Sequence, residues 1–530
     1  MQFYFGRTPP DDVLNWPPDV FAIAAKILKV TGCYTGVVNK WPPRSPRKVT
    51  PQEEVHNWNV AIQQIGREWR DAVELGSGIP REVRSWWTRL IGASAIPLGK
   101  LKEKNSISRV LLQLVAAADE ACAEIGIPSD VGGVPRRRTG DLAWRARALM
   151  GIQNWRGEPC TLCRQIPSSL LAVLPKLHTP TNGTTLRSLT HHLALHDNPE
   201  ISVHWKEITT KLDHTLNVLC VPWPLEIRPV DFRPTGTTLG VSNMRQSAGF
   251  FDFEPPKRPR FFKDFKSLLQ RALSYVGSID AVVFPELALD ARTFQRLQGI
   301  LNKTAPACCL IAGVGSQGRN QAFCSIPNFS HDGRTRLGEV REQQDKHHRW
   351  KLERSQIEQY GLGGRLDAGC SWWESTEIQP RTMNFFSLQP WLTLGVLICE
   401  DLARQDPVGD LMRSVGPNLV VALLMDGPQL ASRWSSRYAT VLADDPGSSV
   451  LTLSSLGMVL LSKPFDKPAS RIVGLWKDYK SPRAVEIELP PGKTGVVLSL
   501  TRQIEEEFSA DGRSDDKATA YLMLTGMHSI

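Results

Sequence analysis

The sequence predicts an α/β protein in two parts with a tail: a mainly helical region over residues 1–210, a layered α/β domain over 215–500, and a polar segment over 501–530. Three observations carry that division. Short apolar runs that stop abruptly at polar residues (Ala281–Leu289, Cys309–Val314, Leu394–Ile398) alternate with stretches of helical periodicity, the pattern of strands crossed by helices. Ahead of residue 210 the apolar residues recur instead at spacings of three and four. The chain has 530 residues, 41% hydrophobic and 22% charged, which suits two or three globular domains rather than a disordered polymer.

In the first part, Glu54–Glu74 puts Trp58, Ile62, Ile65 and Trp69 on one helical face, and Arg81–Leu90 carries the pair Trp86-Trp87. From Ser108 the residues Leu111, Leu114, Val115, Ala118, Cys122 and Ile125 share a face, and Gly126 offers a stop. These aromatics at helical spacing read as core. The proline-rich stretches Trp41–Pro51 and Pro128–Arg138 read as loops. Arg136, Arg137, Arg138, Arg145 and Arg147 surround Trp144; a solvated basic face is the commoner reading of such a cluster, and a track for a nucleic-acid backbone the sharper one. Cys160 and Cys163, with His192 and His196 four apart on an expected helix, have the residue types of a tetrahedral zinc site. The long intervening segment and the competing His178 and His191 leave unconnected thiols and surface histidines as the other reading.

Formal net charge is +9 with a sequence pI near 9.0, which permits an acidic or nucleic-acid partner without demanding one. Met1–Val13 has no signal-peptide pattern, and the longest apolar candidate, Val20–Val30, is interrupted by Lys26 and Lys29 and too short to span a bilayer. No membrane partner is expected. Ten cysteines in this setting predict free thiols in a reducing compartment, and so a cytoplasmic protein.

In the second part, Leu216–Val221 opens the domain and Phe262–Val276 has helical periodicity. Ala281–Leu289 is a buried strand carrying Pro285 and Glu286. Cys309–Val314 and Asn320–Ile326 follow, then a turn at His331-Asp332-Gly333, then Asp345-Lys346-His347-His348 and Glu358. Leu394–Ile398 ends at Cys399-Glu400-Asp401. A thiol at a strand end sits where α/β sheets collect their reactive groups, but an ordinary thiol is only a few per cent thiolate at neutral pH and needs a base. Glu286 can be that base, Lys346 can stabilise a negative oxygen, and Glu358 can hold the lysine and a substrate amine.

These residues, in this order, resemble the carbon–nitrogen hydrolase (nitrilase) superfamily, whose members use a Glu-Lys-Cys set. The likeness lies in A-V-V-F-P-E-L-A-L at Ala281–Leu289, in Lys346-His347-His348 (a better fit than Lys351), and in G-V-L-I-C-E-D-L at Gly395–Leu402. For the second glutamate, Glu358 fits better than Glu353. Asn320 and Ala322 ahead of Asp332-Gly333, Gly416-Pro417-Asn418 opening a strand through Val420–Met425, and Trp434 to Ala439 before Ser449–Leu453 add to it. The resemblance covers about residues 215–500. The sequence departs from the family at Gln344-Asp345, where a Tyr-Arg lead-in is usual, and at Gly361–Trp373, a segment that matches no family pattern and is expected to shape the pocket. Gly492-Lys493-Thr494 lacks the upstream glycine of a phosphate loop and reads as a turn.

The resemblance implies a nitrilase-like α-β-β-α sandwich, a homodimer, and hydrolysis of a non-peptide C–N bond in a small molecule, an amide rather than a nitrile, without metal or organic cofactor. Catalytic roles then fall to Glu286, Lys346, Cys399 and Glu358, with the Glu400 backbone N–H on the oxyanion. The rival reading is a nucleic-acid- or protein-binding scaffold in which this domain is not catalytic. Nitrilase-like domains joined to reverse transcriptases in bacterial antiviral systems lend that reading an analogy only.

Overall fold

A computed structural model describes residues 11–36, 51–125, 141–181, 183–239, 248–256, 258–316, 318–330, 332–462, 470–516 and 519–530. The arginine cluster at 136–138 and both proline-rich loops, apart from Pro51, lie outside the described residues.

Two seven-stranded sheets form the centre. The first runs, in spatial order, Arg336–Asp345, Arg319–Phe329, Cys309–Ser316, Ala281–Leu289, Thr215–Cys220, Val496–Glu505 and Thr519–Ser529. The second runs Val485–Glu488, Ile472–Lys477, Ser449–Ser454, Leu419–Leu424, Leu392–Ile398, Arg381–Gln389 and Ile201–Glu207. Their inner faces meet. On the outside of the first sheet, Phe265, Leu268 and Leu269 of helix Phe261–Val276 and Phe294 and Leu297 of helix Ala291–Thr304 pack on Val282, Phe284, Leu310 and Ala312. Helices Glu400–Ala403, Asp410–Val415 and Trp434–Asp444 lie on the outside of the second. This is the α-β-β-α sandwich expected from the sequence. Cover on both faces explains why Leu392–Ile398 and Leu419–Leu424 are buried at every position instead of alternating.

The helical region is present too. Glu54–Glu74 falls within helix Pro51–Leu75, Arg81–Leu90 within Arg81–Gly92, and the Ser108 periodicity within Asn105–Ala121. Trp69, Trp87, Leu111, Leu114 and Val115 are buried. This region shares one continuous core with the sandwich rather than forming its own. Ile201–Glu207, assigned to the helical part from sequence, pairs in parallel with Arg381–Gln389 and so completes the second sheet. The Trp16 indole donates to the Leu162 carbonyl at 2.7 Å, and the Leu177 N–H donates to the Val415 carbonyl at 2.9 Å.

Two expectations are corrected. Residues 501–530 are not a solvated tail. Thr519–Ser529 is an edge strand antiparallel to Val496–Glu505, and between them Arg513 is fully buried against Asp119, Glu120 and Asp511. His192 and His196 are not on a helix. Leu193–His196 is a strand paired with Ala172–Pro175, because those apolar residues have a sheet partner and a buried face to fill.

Candidate active site

Glu286 sits in an irregular stretch of strand Ala281–Leu289. Pro285 cannot donate to the ladder, the register with Cys309–Ser316 shifts between Phe284 and Leu289, and Leu287 has φ +51°. The bulge is possible because residue 313 opposite is glycine: a Cβ there would lie 2.4 Å from the Glu286 Cα and 2.5 Å from the Pro285 oxygen. Lys346 follows the last residue of strand Arg336–Asp345, and its backbone N–H donates to the Asn320 carbonyl at 2.9 Å. Cys399 ends strand Leu392–Ile398 with φ +46° and ψ −105°, a conformation that strains a non-glycine residue and turns the chain sharply into helix Glu400–Ala403.

The structure brings three of these groups together and supplies a fourth that the sequence did not point to. Lys346 Nζ donates to Glu286 Oε1 at 2.7 Å and to Glu374 Oε2 at 2.6 Å. Asn320 Nδ2 donates to Glu286 Oε1 at 2.7 Å and to Glu374 Oε1 at 2.6 Å. The Trp350 N–H also reaches Glu374 Oε2, at 3.0 Å. Glu358, expected to hold the lysine, does not. Its side chain is 55% exposed and pairs with Arg354 one helical turn away at 2.8 Å. Glu374 holds that position because strand Ser371–Glu374, at the end of the Gly361–Trp373 segment, joins a small four-stranded sheet by pairing in parallel with Ala248–Phe253. Its sequence signal was Trp372-Trp373-Glu374, a short apolar run closed by a carboxylate, the same pattern that marked Cys399.

Asp401 fixes the lysine segment relative to the cysteine strand. Fully buried two residues after Cys399, it accepts the His347 N–H at 3.1 and 3.2 Å and contacts His348 Nδ1 at 3.0 Å. The site is enclosed: Lys346 is 1%, Glu286 and Cys399 each 3%, and Glu374 6% exposed. Burial, with the neighbouring Glu374 charge, raises the Glu286 carboxyl above its usual range against the opposing pull of Lys346. Burial alone would discharge Lys346, but the two glutamates outweigh it and keep the ammonium charged well beyond its ordinary range. Burial and the Glu286 charge push the Cys399 thiol well up, while Lys346 and the Met425 N–H pull the other way. The resting arrangement is therefore a neutral thiol beside a base and a fixed cation. Such a trio can attack a carbonyl only if the base removes the thiol proton during the attack.

The cysteines and histidines considered for zinc have other engagements. The Cys160 sulfur accepts the Trp205 N–H at 3.4 Å and lies 3.1 Å from Asn154 Oδ1, Cys163 packs against Pro18 and Asp19, and His196 Nε2 lies 3.1 Å from the Ile201 carbonyl. Among the described residues no group of three or more His, Cys, Asp and Glu side chains is arranged to hold a metal, and no helix is long and apolar enough to cross a membrane.

No family model matches the sequence, and no curated protein matches it. Solved structures are similar to it in part. They include Nit3 of Saccharomyces cerevisiae, a member of branch 10 of the nitrilase superfamily (12% identity, TM-score 0.31, 55% of this chain and 93% of that one). A carbon–nitrogen hydrolase from Helicobacter pylori G27 has 12% identity and a TM-score of 0.25, over 59% of this chain and 88% of its own. The Caenorhabditis elegans NitFhit protein has 11% identity and a TM-score of 0.28, over 53% of this chain and 62% of its own. These likenesses extend over 53–59% of this chain.

Proposed function

We propose that this protein is a thiol-dependent hydrolase of a non-peptide C–N bond, with a small amide as substrate. One observation carries the reading: a buried ammonium, Lys346, shared between Glu286 and Glu374, acts electrostatically on a thiol held at a strained strand end. A structural cysteine has no use for such company.

In the proposed reaction the Cys399 sulfur attacks the carbonyl carbon as Glu286 takes the thiol proton. Lys346 and the Glu400 backbone N–H stabilise the oxygen of the tetrahedral intermediate, an interaction worth roughly 3–4 kcal/mol per donor in a water-poor site. Glu374 keeps Lys346 aimed. The intermediate collapses with loss of the C–N bond, and Glu286 returns its proton to the departing nitrogen. Water then attacks the thioester, giving its proton to Glu286, and the C–S bond breaks to release the acid and restore the thiol.

The test is ammonia release from a panel of small primary amides, with nitriles of the same carbon skeletons for comparison. Turnover of an amide that disappears in a folded Cys399→Ala variant supports the reading. Turnover that survives in that variant, or its absence across the whole panel, overturns it.

A further inference from the structure

Asn320 touches both carboxylates of the site, and the hydrolase chemistry above gives it no part. Its amide has two N–H bonds, and each is directed at a different glutamate: Glu286 Oε1 at 2.7 Å and Glu374 Oε1 at 2.6 Å. Its own Oδ1 is buried and has no hydrogen-bond partner, and so is Glu286 Oε2. Turning the amide over would face Oδ1 toward two carboxylate oxygens, so the side chain has one electrostatically tolerable orientation. Its backbone is fixed on both sides, since its N–H donates to Thr376 Oγ1 at 3.0 Å and its carbonyl accepts the Lys346 N–H at 2.9 Å. The residue therefore links the glutamate strand, the lysine and the strand that ends at Glu374.

We infer that Asn320 is a positioning residue that selects which oxygen of Glu286 serves as the base. Glu286 Oε1 already accepts from Lys346 and from Asn320, which lowers its appetite for a third proton donor. Glu286 Oε2 is left unanswered in a buried site, where an unpaired carboxylate oxygen is costly and therefore basic. The amide thus holds one oxygen in place and keeps the other available for the Cys399 proton. It also separates two like charges by placing donors between them, without adding a second cation that would suppress the basicity of Glu286. This assignment rests on the proposed reaction for its meaning, but the clamp itself can be tested without any substrate.

The experiment compares urea unfolding of the wild type and Asn320→Leu from pH 4 to pH 8. Leucine keeps the volume and removes both donors. If Asn320 only fills space, its loss costs the same at every pH. If it clamps an ionised Glu286, the cost grows as pH rises through the titration of that carboxyl, by about tenfold in the unfolding equilibrium for each unit of pKa shift. The added cost should shrink in a Glu286→Gln background, where one of the two charges is gone. Asn320→Ser retains one short donor and should show an intermediate dependence, and it carries the test if the leucine variant fails to fold. A pH-independent penalty, or one unchanged by Glu286→Gln, overturns the inference. The same variants assayed for ammonia release separate the two ideas. Failure of every amide with a pH-dependent clamp intact removes the hydrolase reading alone, whereas turnover with a flat penalty removes only the role of Asn320.

Discussion

Two buried charge clusters in this molecule look alike and are built to opposite ends. One joins the helical region to the C-terminal strands. Arg513 donates through Nε to both oxygens of Asp511, through Nη1 to Asp119 at 3.2 Å and Glu120 at 2.7 Å, and through Nη2 to the Leu189 carbonyl at 2.6 Å. Asp119 accepts in addition the N–H groups of His191, His192 and Leu193. The other cluster sets Lys346 between Glu286 and Glu374, but it leaves Glu286 Oε2 and Asn320 Oδ1 without partners and has positive φ at Leu287 and Cys399. A satisfied buried ion cluster fixes structure, whereas one with an unanswered oxygen and strained backbone stores the means to react.

That contrast is open to direct attack. Arg513→Met should give the largest loss of stability, about 3–5 kcal/mol by urea unfolding, because three carboxylates would stay buried without the guanidinium that pairs with all of them. A loss under about 1 kcal/mol would show that the cluster does not hold the C-terminal strands in place. Glu374→Gln should behave in the reverse way. Lys346 keeps Glu286 as its counter-ion, so stability should change by only about 1 kcal/mol. Amide turnover should nevertheless fall about a hundredfold, because the ammonium loses the partner that aims it.

Asp119 and Asp511 of the first cluster should answer pH with the opposite sign to Glu286, while Glu120 beside them, pushed up by burial to about 7, shares the sign of Glu286. Burial raises the carboxyls of Asp119 and Asp511, but Arg513 and the hydrogen bonds that reach them together outweigh it and hold both below the ordinary value of 3.8. Their contribution is complete above that value and is lost as pH falls through the lower folded values, so acid should loosen the seam. Burial lifts Glu286 above its ordinary 4.5, so its contribution to stability is complete below 4.5 and is lost as pH rises through the folded value. Activity follows that same titration in the useful direction, since only ionised Glu286 accepts the thiol proton. Turnover should therefore rise with pH through an acid limb displaced above 4.5, with no alkaline limb from Lys346 near its ordinary 10.5, because that ammonium is held charged. A limb at or below the ordinary glutamate value would remove Glu286 as the base.

Much of this was legible in the sequence where physics is local. Apolar runs broken at Glu286 and at Cys399 announced two buried strands, and the spacing of Trp69, Leu111 and Leu114 announced buried helix faces. What was not legible depends on partners far along the chain. Arg513 looked solvated because its counter-ion Asp119 lies 394 residues away. Thr519–Ser529 has polar residues that mask a strand until Val496–Glu505 provides its ladder. Glu374 ends a four-residue strand whose neighbour, Ala248–Phe253, comes from much earlier in the chain.

Glu358 offers the smallest effect and the sharpest check on that lesson. The resemblance pointed to it over Glu353, but a likeness in sequence does not fix direction, and the chain here makes a short helix, Arg354–Gln359, before Gly361–Trp373. The helix directs Glu358 outward to Arg354 at 2.8 Å, with both side chains more than half exposed. Exposed pairs of this kind are screened by solvent and lose side-chain entropy on forming, so removing one contributes little. Glu358→Gln should leave both the urea midpoint and amide turnover at wild-type levels, side by side with the hundredfold loss expected for Glu374→Gln. If Glu358→Gln instead removed turnover while the protein stayed folded, the lysine's second carboxylate would have to be sought on this helix and not on the strand that ends at Glu374.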